Sequence, residues 1–489
     1  MRRPVFQVLI LLVGAGVAAV AAKRLLHHAP EAHIRLLASS AVNVSSAPGP
    51  QSEVAVAVDR ARPSVIIAGS NDIAGRAMRV YESADGGRSW RSAHLPLPRI
   101  RGICGSSDPG VAIAPDGRQY YTFLGIRCVD GHPRSGSIYV ATRSSAGRPW
   151  HTLPLSVSTG RTRTLIDDRP SITADENAPS PHRGRLYVGW TRFSFDPSSI
   201  WADPDAKDVH YIDVEALVSH SDDGGRRWSK PTVLSRQGSP LEVRLATARD
   251  GQVYAVWRDS KTNGIYISRS ADGSSFGAGR LVAASVVRPE HSCQTARARI
   301  PAQPRRCVSP NPTIAVDGSG GRRSGRVYVV WGSTSLNQSQ DVYVAAFEPD
   351  LHPVLGVGRV QQVNPGEGIR GSDQFLPTSA ADPQSGRLWA CYYQGAGAAA
   401  RRARFTCTAS DDGGKTWVTP VHATTVFSDE SRRPANVANG YGDYEAVTVA
   451  DGRLIATWTD GRALRSRQEE IFAASITSRS SKSRRSSGR

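Results

Sequence analysis

Apolar and polar residues alternate in short runs along most of this chain, and stretches with helical periodicity are nearly absent. The runs are rich in β-branched and aromatic side chains, and clusters of Gly, Pro, Asp and Ser separate them. Both features are typical of β-strands joined by tight turns. The runs form a four-part repeat that recurs seven times, and the first run of each repeat ends in an aspartate: Asp59, Asp116, Asp175, Asp250, Asp317, Asp382 and Asp451.

Two strongly apolar runs follow the first run in every repeat. The second runs are residues 65–68, 120–124, 186–190, 253–257, 327–331, 388–393 and 454–458. The third runs are residues 79–83, 138–142, 215–219, 265–269, 342–347, 405–409 and 471–475. A four-stranded unit repeated around an axis is the pattern of a β-propeller blade. The sequence therefore predicts an all-β fold, a β-propeller of seven four-stranded blades.

The seventh repeat lacks a fourth run, because the chain turns basic and polar after Ile476. Residues 33–39, which precede the first repeat, have the character of a fourth strand without a repeat of their own. We expect this N-terminal strand to pair with the seventh blade and close the ring, which removes the exposed edges of an open ring. A loose N-terminal stem is the alternative.

A turn motif links the third and fourth runs in several repeats. Its Asp can accept backbone N–H bonds inside the turn, its Gly pair supplies positive φ, and its Trp returns a large apolar ring to the sheet. The full copies are Ser83-Ala84-Asp85-Gly86-Gly87-Arg88-Ser89-Trp90, Ser221-Asp222-Asp223-Gly224-Gly225-Arg226-Arg227-Trp228 and Ser410-Asp411-Asp412-Gly413-Gly414-Lys415-Thr416-Trp417. A shortened copy is Ser270-Ala271-Asp272-Gly273-Ser274-Ser275-Phe276.

This motif resembles the Asp box, or BNR repeat, of sialidase-like β-propellers, and the resemblance extends from Glu53 to Ile476. It implies a structural role for Asp85, Asp223, Asp272 and Asp412, and six blades, as in sialidases, as the alternative to seven. It also implies a glycan or glycoconjugate ligand, with a glycoside hydrolase of exo-sialidase type as one activity. Because the box also occurs in propellers without catalysis, the alternative is a non-catalytic propeller that binds a protein or polysaccharide at the cell surface.

The two ends of the chain indicate where the protein is located. The 489 residues carry a net charge of +18, and nine of the positive charges lie near the ends. The remaining charges are scattered and no aromatic-basic motif is present, so a nucleic-acid partner is not expected. We predict a signal peptide or signal anchor at 1–22, a linker at 23–32, the propeller at 33–476 and a disordered basic tail at 477–489. The protein is then extracellular or in the cell envelope, touches a membrane only through its N-terminal segment, and is a monomer.

Six cysteines agree with export, since disulfides persist in oxidising compartments. They form three couples that are local in sequence, and no Cys-x-x-Cys motif indicates a zinc or redox site. Locality favours the disulfides Cys104–Cys128, Cys293–Cys307 and Cys391–Cys407 among the 15 pairings that six cysteines allow.

Strand order places the functional face. First strands start and second strands end at one face of the ring, where the long insertions 192–213, 286–309 and 427–441 also lie, and elaborated loops on a rigid scaffold usually carry binding. Acids and arginines collect there. The candidate catalytic residues are Asp108, Asp443, Tyr444 and Glu445. The candidate substrate-binding residues are Asp168, Arg169, Arg192, Glu242, Arg258, Asp259, Asp460 and Arg462. The alternative is that these groups tie neighbouring blades together by ion pairs.

The sialidase resemblance implies three arginines around a substrate carboxylate, a Tyr assisted by a Glu as nucleophile, and an Asp as acid or base. Arg258 and Arg462 follow second-strand tryptophans and are the candidate carboxylate ligands. Tyr444 and Glu445 are adjacent, and adjacent strand residues point to opposite faces, so they do not fit a Tyr–Glu couple.

No cofactor and no transition-metal site is expected. Asp196, Asp203, Asp205 and Asp208 crowd one loop and could bind calcium through oxygen ligands, although their spacing is not that of an EF-hand. The alternative is a solvated acidic loop.

Overall fold

The computed structural model describes residues 33–98, 101–129, 132–156, 164–195, 211–287, 292–293, 297–335, 339–354, 360–363, 371–431, 440–462 and 468–481. The described residues of 36–478 form one compact unit. The predicted N-terminal segment 1–22, the linker 23–32, most of the basic tail and the four aspartates of the candidate calcium loop lie outside the described residues. In the described ranges, no helix is long and apolar enough to span a membrane.

Every regular element in these ranges is a β-strand. In chain order the strands are β1 (His33–Ala38), β2 (Val42–Asn43), β3 (Gln51–Val58), β4 (Ile66–Asp72), β5 (Arg79–Ser83), β6 (Arg91–His94), β7 (Ile103–Ile113), β8 (Gln119–Val129), β9 (His132–Arg143), β10 (His151–Pro154), β11 (Thr164–Ala174), β12 (Leu186–Phe195), β13 (Tyr211–Ser221), β14 (Thr232–Ser235), β15 (Pro240–Thr247), β16 (Val253–Asp259), β17 (Gly264–Ser270), β18 (Arg280–Ala284), β19 (Ser292–Cys293), β20 (Arg297–Ile300), β21 (Gln303–Val308), β22 (Thr313–Val316), β23 (Val327–Thr334), β24 (Gln340–Phe347), β25 (Gln361–Gln362), β26 (Gln374–Ala381), β27 (Leu388–Gly395), β28 (Ala403–Ser410), β29 (Val421–His422), β30 (Ala446–Ala450), β31 (Arg453–Asp460) and β32 (Glu470–Ser481).

The strands follow the predicted repeats, and neighbours within each repeat pair antiparallel. Repeats one, four, five and six are the four-stranded sheets β3–β6, β15–β18, β22–β25 and β26–β29. Repeats two and three, β7–β10 and β11–β14, form one eight-stranded sheet, because β9 and β11 share a single parallel pairing between Gly136 and Ile166. A Cβ on Gly136 would lie 3.1 Å from the Ile166 side chain, so glycine permits this close approach. The all-β prediction is confirmed.

The seventh repeat contains β30, β31 and β32, and β1 lies next to β32 in the position of a fourth strand. β2 also pairs with β32, with Val42 opposite Ala473. The backbone N–H of Ser39 donates to the Ser475 carbonyl at 2.8 Å. β32 runs past Ile476 to Ser481, into the segment that the sequence assigned to the tail.

The first strands of the seven repeats contact one another in a cycle. The contacts run from β3 to β7, β11, β15, β22, β26 and β30, and from β30 back to β3. Apolar side chains fill the space between successive repeats, and the cluster between repeats seven and one contains Val54, Tyr81 and Ile471. Four second-strand tryptophans are fully buried, namely Trp190, Trp331, Trp389 and Trp458, and the first two belong to such clusters. Burial of each large side chain is worth roughly 2–3 kcal/mol, so the core lies between the sheets.

The turn between first and second strands repeats as well. In six repeats the aspartate that ends the first run accepts a hydrogen bond from the backbone N–H two residues later, at 2.9–3.1 Å. This Asx turn explains why an aspartate recurs at that position.

The Ser-x-Asp-x-Gly turns form the predicted hydrogen bonds. The Asp223 carboxylate accepts from the N–H groups of Arg226 and Arg227 at 3.0 and 2.9 Å, and Ser221 Oγ accepts from the N–H of Gly225 at 2.9 Å. The N–H groups bound by Asp223 are exposed, whereas that of Gly225 is buried. The serine therefore binds the buried donor, whereas the aspartate binds the exposed ones.

These turns also connect successive repeats. Arg185 at the start of β12 donates to the Asp272 carbonyl at 2.8 Å, which joins repeats three and four. Arg453 at the start of β31 donates to the Gly86 carbonyl at 2.9 Å and joins repeats seven and one in the same way. The turns therefore lie on the side where second strands begin, as predicted.

Two predicted disulfides are confirmed, Cys104–Cys128 and Cys391–Cys407. Cys391 and Cys407 lie directly opposite each other on β27 and β28 of repeat six. Cys307 is disulfide-bonded, and the side chain of Cys293, its predicted partner, lies outside the described part of the structure.

Candidate functional site

A backbone bulge recurs in the first strands of the repeats. In five repeats the pairing of first and second strands shifts register at a bulge in the first strand. One non-glycine residue with positive φ lies at each bulge and at the matching position of repeat five: Glu53 (58°), Asp108 (59°), Arg169 (50°), Glu242 (63°), Leu376 (50°) and Asn311 (43°). Such a conformation costs about 1–3 kcal/mol per residue, and bulges re-aim side chains. Five of these six residues are polar, so the strained bulge positions direct polar side chains toward the centre.

We call the charged groups that converge there the central network. Its members come from the first strands of repeats one to four, the segment just before β30 in repeat seven, two second strands and the hairpin β20–β21. They are Glu53, Asn71, Asp108, Asp168, Arg169, Glu242, Arg258, Arg297, Arg306, Asp443, Tyr444 and Glu445.

Asp443 is the anionic centre of this network. Arg306 donates to both of its carboxylate oxygens, at 2.9 and 2.7 Å, and Arg297 and Arg169 approach Oδ2 to 3.3 and 3.8 Å. Burial opposes ionisation of Asp443, but the three guanidinium groups outweigh it and hold its pKa well below the usual value. Three arginines around one carboxylate is the arrangement expected of a carboxylate receptor, and here the carboxylate belongs to the chain itself.

Glu242 is a second ionised acid. Its Oε1 lies 2.7 Å from Arg169 Nη1 and 2.9 Å from Arg258 Nε. The side chain is fully buried, which opposes ionisation, yet Arg258 and Arg169 lower its pKa to about 2. Arg258, a predicted substrate ligand, is only 2% exposed, so this pair forms a buried ion pair beneath the surface.

Three other carboxyl groups hold protons more tightly. Burial raises the pKa of Glu53 and of Asp108 to about 7, and a hydrogen bond with Asp168 contributes for Asp108. Asn71 donates to Glu53 at 2.6 Å and accepts from the backbone N–H of Asp108 at 2.9 Å. The Tyr444 hydroxyl lies 3.5 Å from Asp108 Oδ1. Burial also raises the pKa of Asp168, and its carboxyl group is the hydrogen-bond partner of Asp108, so the two groups share a proton beside the ionised Asp443.

A Tyr–Glu contact is present, but between residues of different repeats. Tyr393 Oη lies 2.5 Å from Glu445 Oε1 and 2.6 Å from the Thr459 carbonyl. One hydroxyl proton cannot serve both, and a carbonyl can only accept. Tyr393 therefore donates to Thr459, and a protonated Glu445 donates to Tyr393. Burial raises the pKa of Glu445 well above its usual value, in agreement with this proton arrangement.

A cavity of about 210 Å³, which we call the central cavity, lies among the first strands. Residues of β3, β7, β11, β15, β22, β26 and β30 all line it. Tyr444 lies at its wall with guanidinium carbons on its ring, Arg169 Cζ at 5.3 Å and Arg244 Cζ at 4.9 Å from the ring centroid. Because Arg169, Arg244 and Tyr444 come from repeats three, four and seven, these contacts cross the ring.

Eight of the predicted site residues come together in the central network: Asp108, Asp168, Arg169, Glu242, Arg258, Asp443, Tyr444 and Glu445. Tyr444 and Glu445 contact different partners, as adjacent strand residues should. Four others form local contacts instead. Arg192 pairs with Asp167 at 2.7 Å, Asp259 caps the turn that follows β16, and Arg462 pairs with Asp460 at 2.6 Å. Arg258 and Arg462 thus belong to different ion pairs, so the two do not grip one carboxylate.

Four members of the network were not among the candidate site residues, namely Glu53, Asn71, Arg297 and Arg306, and neither was Arg244 at the central cavity. Glu53 precedes Asp59 by the same interval as Glu445 precedes Asp451, so aligning the repeats would have found it. Arg297 and Arg306 lie between Cys293 and Cys307, and the density of arginines in that loop was the available indication.

Several polar atoms of the network have no hydrogen-bond partner among the described residues. They are donors, Arg169 Nε and Nη2 and Arg297 Nε, and an acceptor, Glu242 Oε2. Buried polar atoms are nearly always satisfied, so water or a ligand is expected beside them. In the described ranges no group of three or more His, Cys, Asp or Glu side chains could hold a metal ion.

Comparisons with known proteins give structural likeness only. No family model matches the chain, and no curated protein matches it in sequence. A protein of unknown function from Dyadobacter fermentans has a TM-score of 0.45 at 14% identity, covering 76% of this chain and 98% of its own. The NanB sialidase of Streptococcus pneumoniae has a TM-score of 0.45 at 8% identity, with coverages of 85% and 83%. The α-L-arabinanase of Penicillium chrysogenum has a TM-score of 0.44 at 12% identity, with coverages of 78% and 95%. The fold assignment rests on the strands and contacts of this chain.

Proposed function

We propose that residues 36–478 form a seven-bladed β-propeller that binds a glycan at its central network. The cyclic contacts of the seven first strands support the blade count. The position of β1 beside β32 and the bond from Arg453 to the Gly86 carbonyl support closure between blades seven and one.

The observation that carries the glycan proposal is the set of unsatisfied donors and acceptors around Arg169 and Glu242. A sugar hydroxyl both donates and accepts, so adjacent hydroxyls on one ring can satisfy both kinds of atom. The Tyr444 ring at the cavity wall supplies an amphipathic surface of the sort that ligand sites use. A purely apolar ligand would leave these buried groups unpaired, at a cost of about 1–3 kcal/mol each.

The chemistry best supported at this site is two-carboxyl glycoside hydrolysis. Glycosidases of this kind pair a carboxylic acid of raised pKa with an ionised carboxylate. Asp108, which shares a proton with Asp168, has the properties of the acid, and Asp443 has those of the ionised partner.

A tyrosine nucleophile fits less well. Tyr393 donates to a backbone carbonyl, and its glutamate partner is protonated and cannot accept the phenolic proton. The arginines that would grip a substrate carboxylate already bind Asp443 and Glu242. A neutral glycan is therefore favoured over a sialoside at the network.

The second candidate is a non-catalytic binding propeller at the cell surface. Burial of the proposed catalytic acids supports this candidate, because Asp108 and Asp443, only 7% and 4% exposed, offer little surface to a substrate. Ion pairs that join repeats one, three, four and seven also have an evident structural use.

Aryl glycosides of neutral sugars and a sialoside, each releasing a chromophore, test the proposal alongside a glycan-binding array. We expect turnover of a neutral glycoside, a loss of about 100-fold or more in Asp108→Asn because the proton donor is removed, and retained glycan binding. Asp222→Asn, an exposed carboxylate in a hairpin turn, is the control and should behave as wild type. Glycan binding without turnover selects the second candidate, and absence of both refutes glycan engagement.

We further propose that the chain is exported as a monomer to the extracellular space or cell envelope, with residues 1–22 as a cleaved signal or an anchor. The two described disulfides support an oxidising compartment. N-terminal sequencing of the mature protein, with fractionation and light scattering, tests this. Protein recovered in the cytosol with free thiols would contradict it.

A further inference from the structure

Arg244 differs from the arginines of the central network. Arg169 and Arg258 pair with Glu242, and Arg297 and Arg306 with Asp443. Within the described residues, Arg244 has no carboxylate or other hydrogen-bonding partner, and its guanidinium lies on the Tyr444 ring. Burial and the neighbouring Arg169 lower its pKa, although a guanidinium stays charged at neutral pH. A half-buried cation that forms no ion pair with any described residue therefore lines the central cavity.

Two residues that line the same cavity each have a buried acceptor atom without a donor. Asn311 uses its amide N–H to reach the Pro377 carbonyl at 3.0 Å, which leaves Oδ1 buried without a partner. Glu445 directs Oε1 to Tyr393 and Thr459, and its Oε2 is buried without a partner. The cavity thus offers a cation and separate hydrogen-bond acceptors, so its complement carries a negative charge and a donor.

We propose that the central cavity binds a small hydroxycarboxylate, with its carboxylate on Arg244 and its hydroxyl donating to Asn311 or Glu445. A carboxylate matches the planar fork of a guanidinium. Chloride would balance the charge of Arg244 but leave the acceptors unpaired. A neutral diol would donate to the acceptors but leave the charge of Arg244 unbalanced. The cavity volume of about 210 Å³ suits a monomeric acid.

This proposal goes beyond glycan engagement at the central network and is tested without a glycan. Calorimetric titration of the full chain with lactate, acetate, chloride and methyl lactate compares their affinities and so separates the contributions of the carboxylate and the hydroxyl. We expect lactate to bind about tenfold more tightly than acetate, because one further hydrogen bond forms. Methyl lactate, which keeps the hydroxyl and lacks the charge, should bind at least 100-fold more weakly than lactate.

Arg244→Gln removes the charge and should abolish lactate binding. Arg91→Gln makes the same change at an exposed strand position and should bind lactate as wild type does. A glucuronate titration separates two sources of the same chemistry: binding of glucuronate with lactate assigns the site to sugar acids, and lactate alone assigns it to free hydroxy acids. Both results support the proposal.

The proposal is overturned if wild-type protein binds neither acid at millimolar concentration, if methyl lactate binds as tightly as lactate, or if Arg244→Gln binds lactate normally. Thermal melting shows whether Arg244→Gln folds. If it does not fold, the comparison of lactate with methyl lactate on wild type decides, together with protection of Arg244 from phenylglyoxal by lactate, read by peptide mapping. Modification at the same rate with and without lactate would refute the site.

Discussion

Asp443→Ala is the substitution that most directly tests the central network. The Asp443 carboxylate receives two hydrogen bonds from Arg306 and lies within 4 Å of Arg297 and Arg169. The side chain is 6% exposed, so water cannot replace it freely. The substitution leaves three guanidinium groups close together, and the nearby acids are Glu242, 2.7 Å from Arg169, and Glu53, 3.3 Å from Arg306.

Removing one partner of a buried ion pair costs about 3–5 kcal/mol, because the remaining charge stays desolvated. We expect Asp443→Ala to lose free energy of unfolding in that range. Glu215→Ala is the matched control, because its partner Arg236 is 66% exposed, and an exposed pair is worth about 0–1 kcal/mol. Urea unfolding of the three proteins at pH 7.5 measures both differences.

The vacated position also gives a rescue experiment. If the three arginines form a carboxylate receptor, formate should bind in place of the missing side chain and stabilise the variant by mass action. At about ten times its dissociation constant, formate returns about 1.4 kcal/mol. Wild type titrated in parallel corrects for formate bound elsewhere.

Two results would contradict this account of the network. A loss of less than about 1 kcal/mol of unfolding free energy in Asp443→Ala would show that the arginines are solvated or form new ion pairs with other acids. A normal loss without any selective effect of formate would show that the three guanidinium groups do not form one receptor.

Two further predictions concern the hairpin turns and the acid pair. Ser221→Ala should cost about 1–3 kcal/mol in urea unfolding, since a buried N–H loses its acceptor, whereas Asp223→Ala should cost less than about 1 kcal/mol because its donors reach water; equal costs would contradict the assignment. The raised pKa of Asp108, about 7 against about 4 unfolded, favours the neutral folded form, so its stabilising contribution is complete below pH 4 and declines as pH rises toward 7. Asp108→Asn should flatten that decline in unfolding free energies measured from pH 4 to 8, and an unchanged slope would refute the shift.

The strands could be predicted because alternation and turn chemistry are local. The predicted second run at 253–257 is the core of β16, and the predicted third run at 79–83 coincides with β5. The link between repeats two and three was not predictable, because it depends on Gly136 approaching another strand. Glycine in a sequence shows that such an approach is allowed, and does not show what approaches.

The site could be predicted only as a face of the ring, because its pairings join distant parts of the chain. The backbone N–H of Asp443 donates to Glu53, and 390 positions separate them. Arg192 and Arg258 follow similar tryptophan motifs, and each pairs with an acid of the adjacent first strand. Asp167 lies directly opposite Arg192 in register, whereas Glu242, the partner of Arg258, lies at the bulge. The outcome depends on which residue occupies the bulge, and a bulge leaves little trace in hydrophobic periodicity.

The charge balance of the centre connects the site to its ligands. In mildly acidic solution, burial keeps Glu53 and Glu445 protonated and therefore neutral. One carboxyl group of the Asp108–Asp168 pair also stays protonated, through burial and the hydrogen bond between the two groups. Five guanidinium groups then face three ionised carboxylates, and the excess positive charge favours an added anion. As pH rises through 7, Glu53 and Asp108 ionise and the excess falls. Anion binding at Arg244 should therefore weaken as the acid pair loses its proton, so that the cavity and the proposed hydrolytic acid respond to the same ionisation.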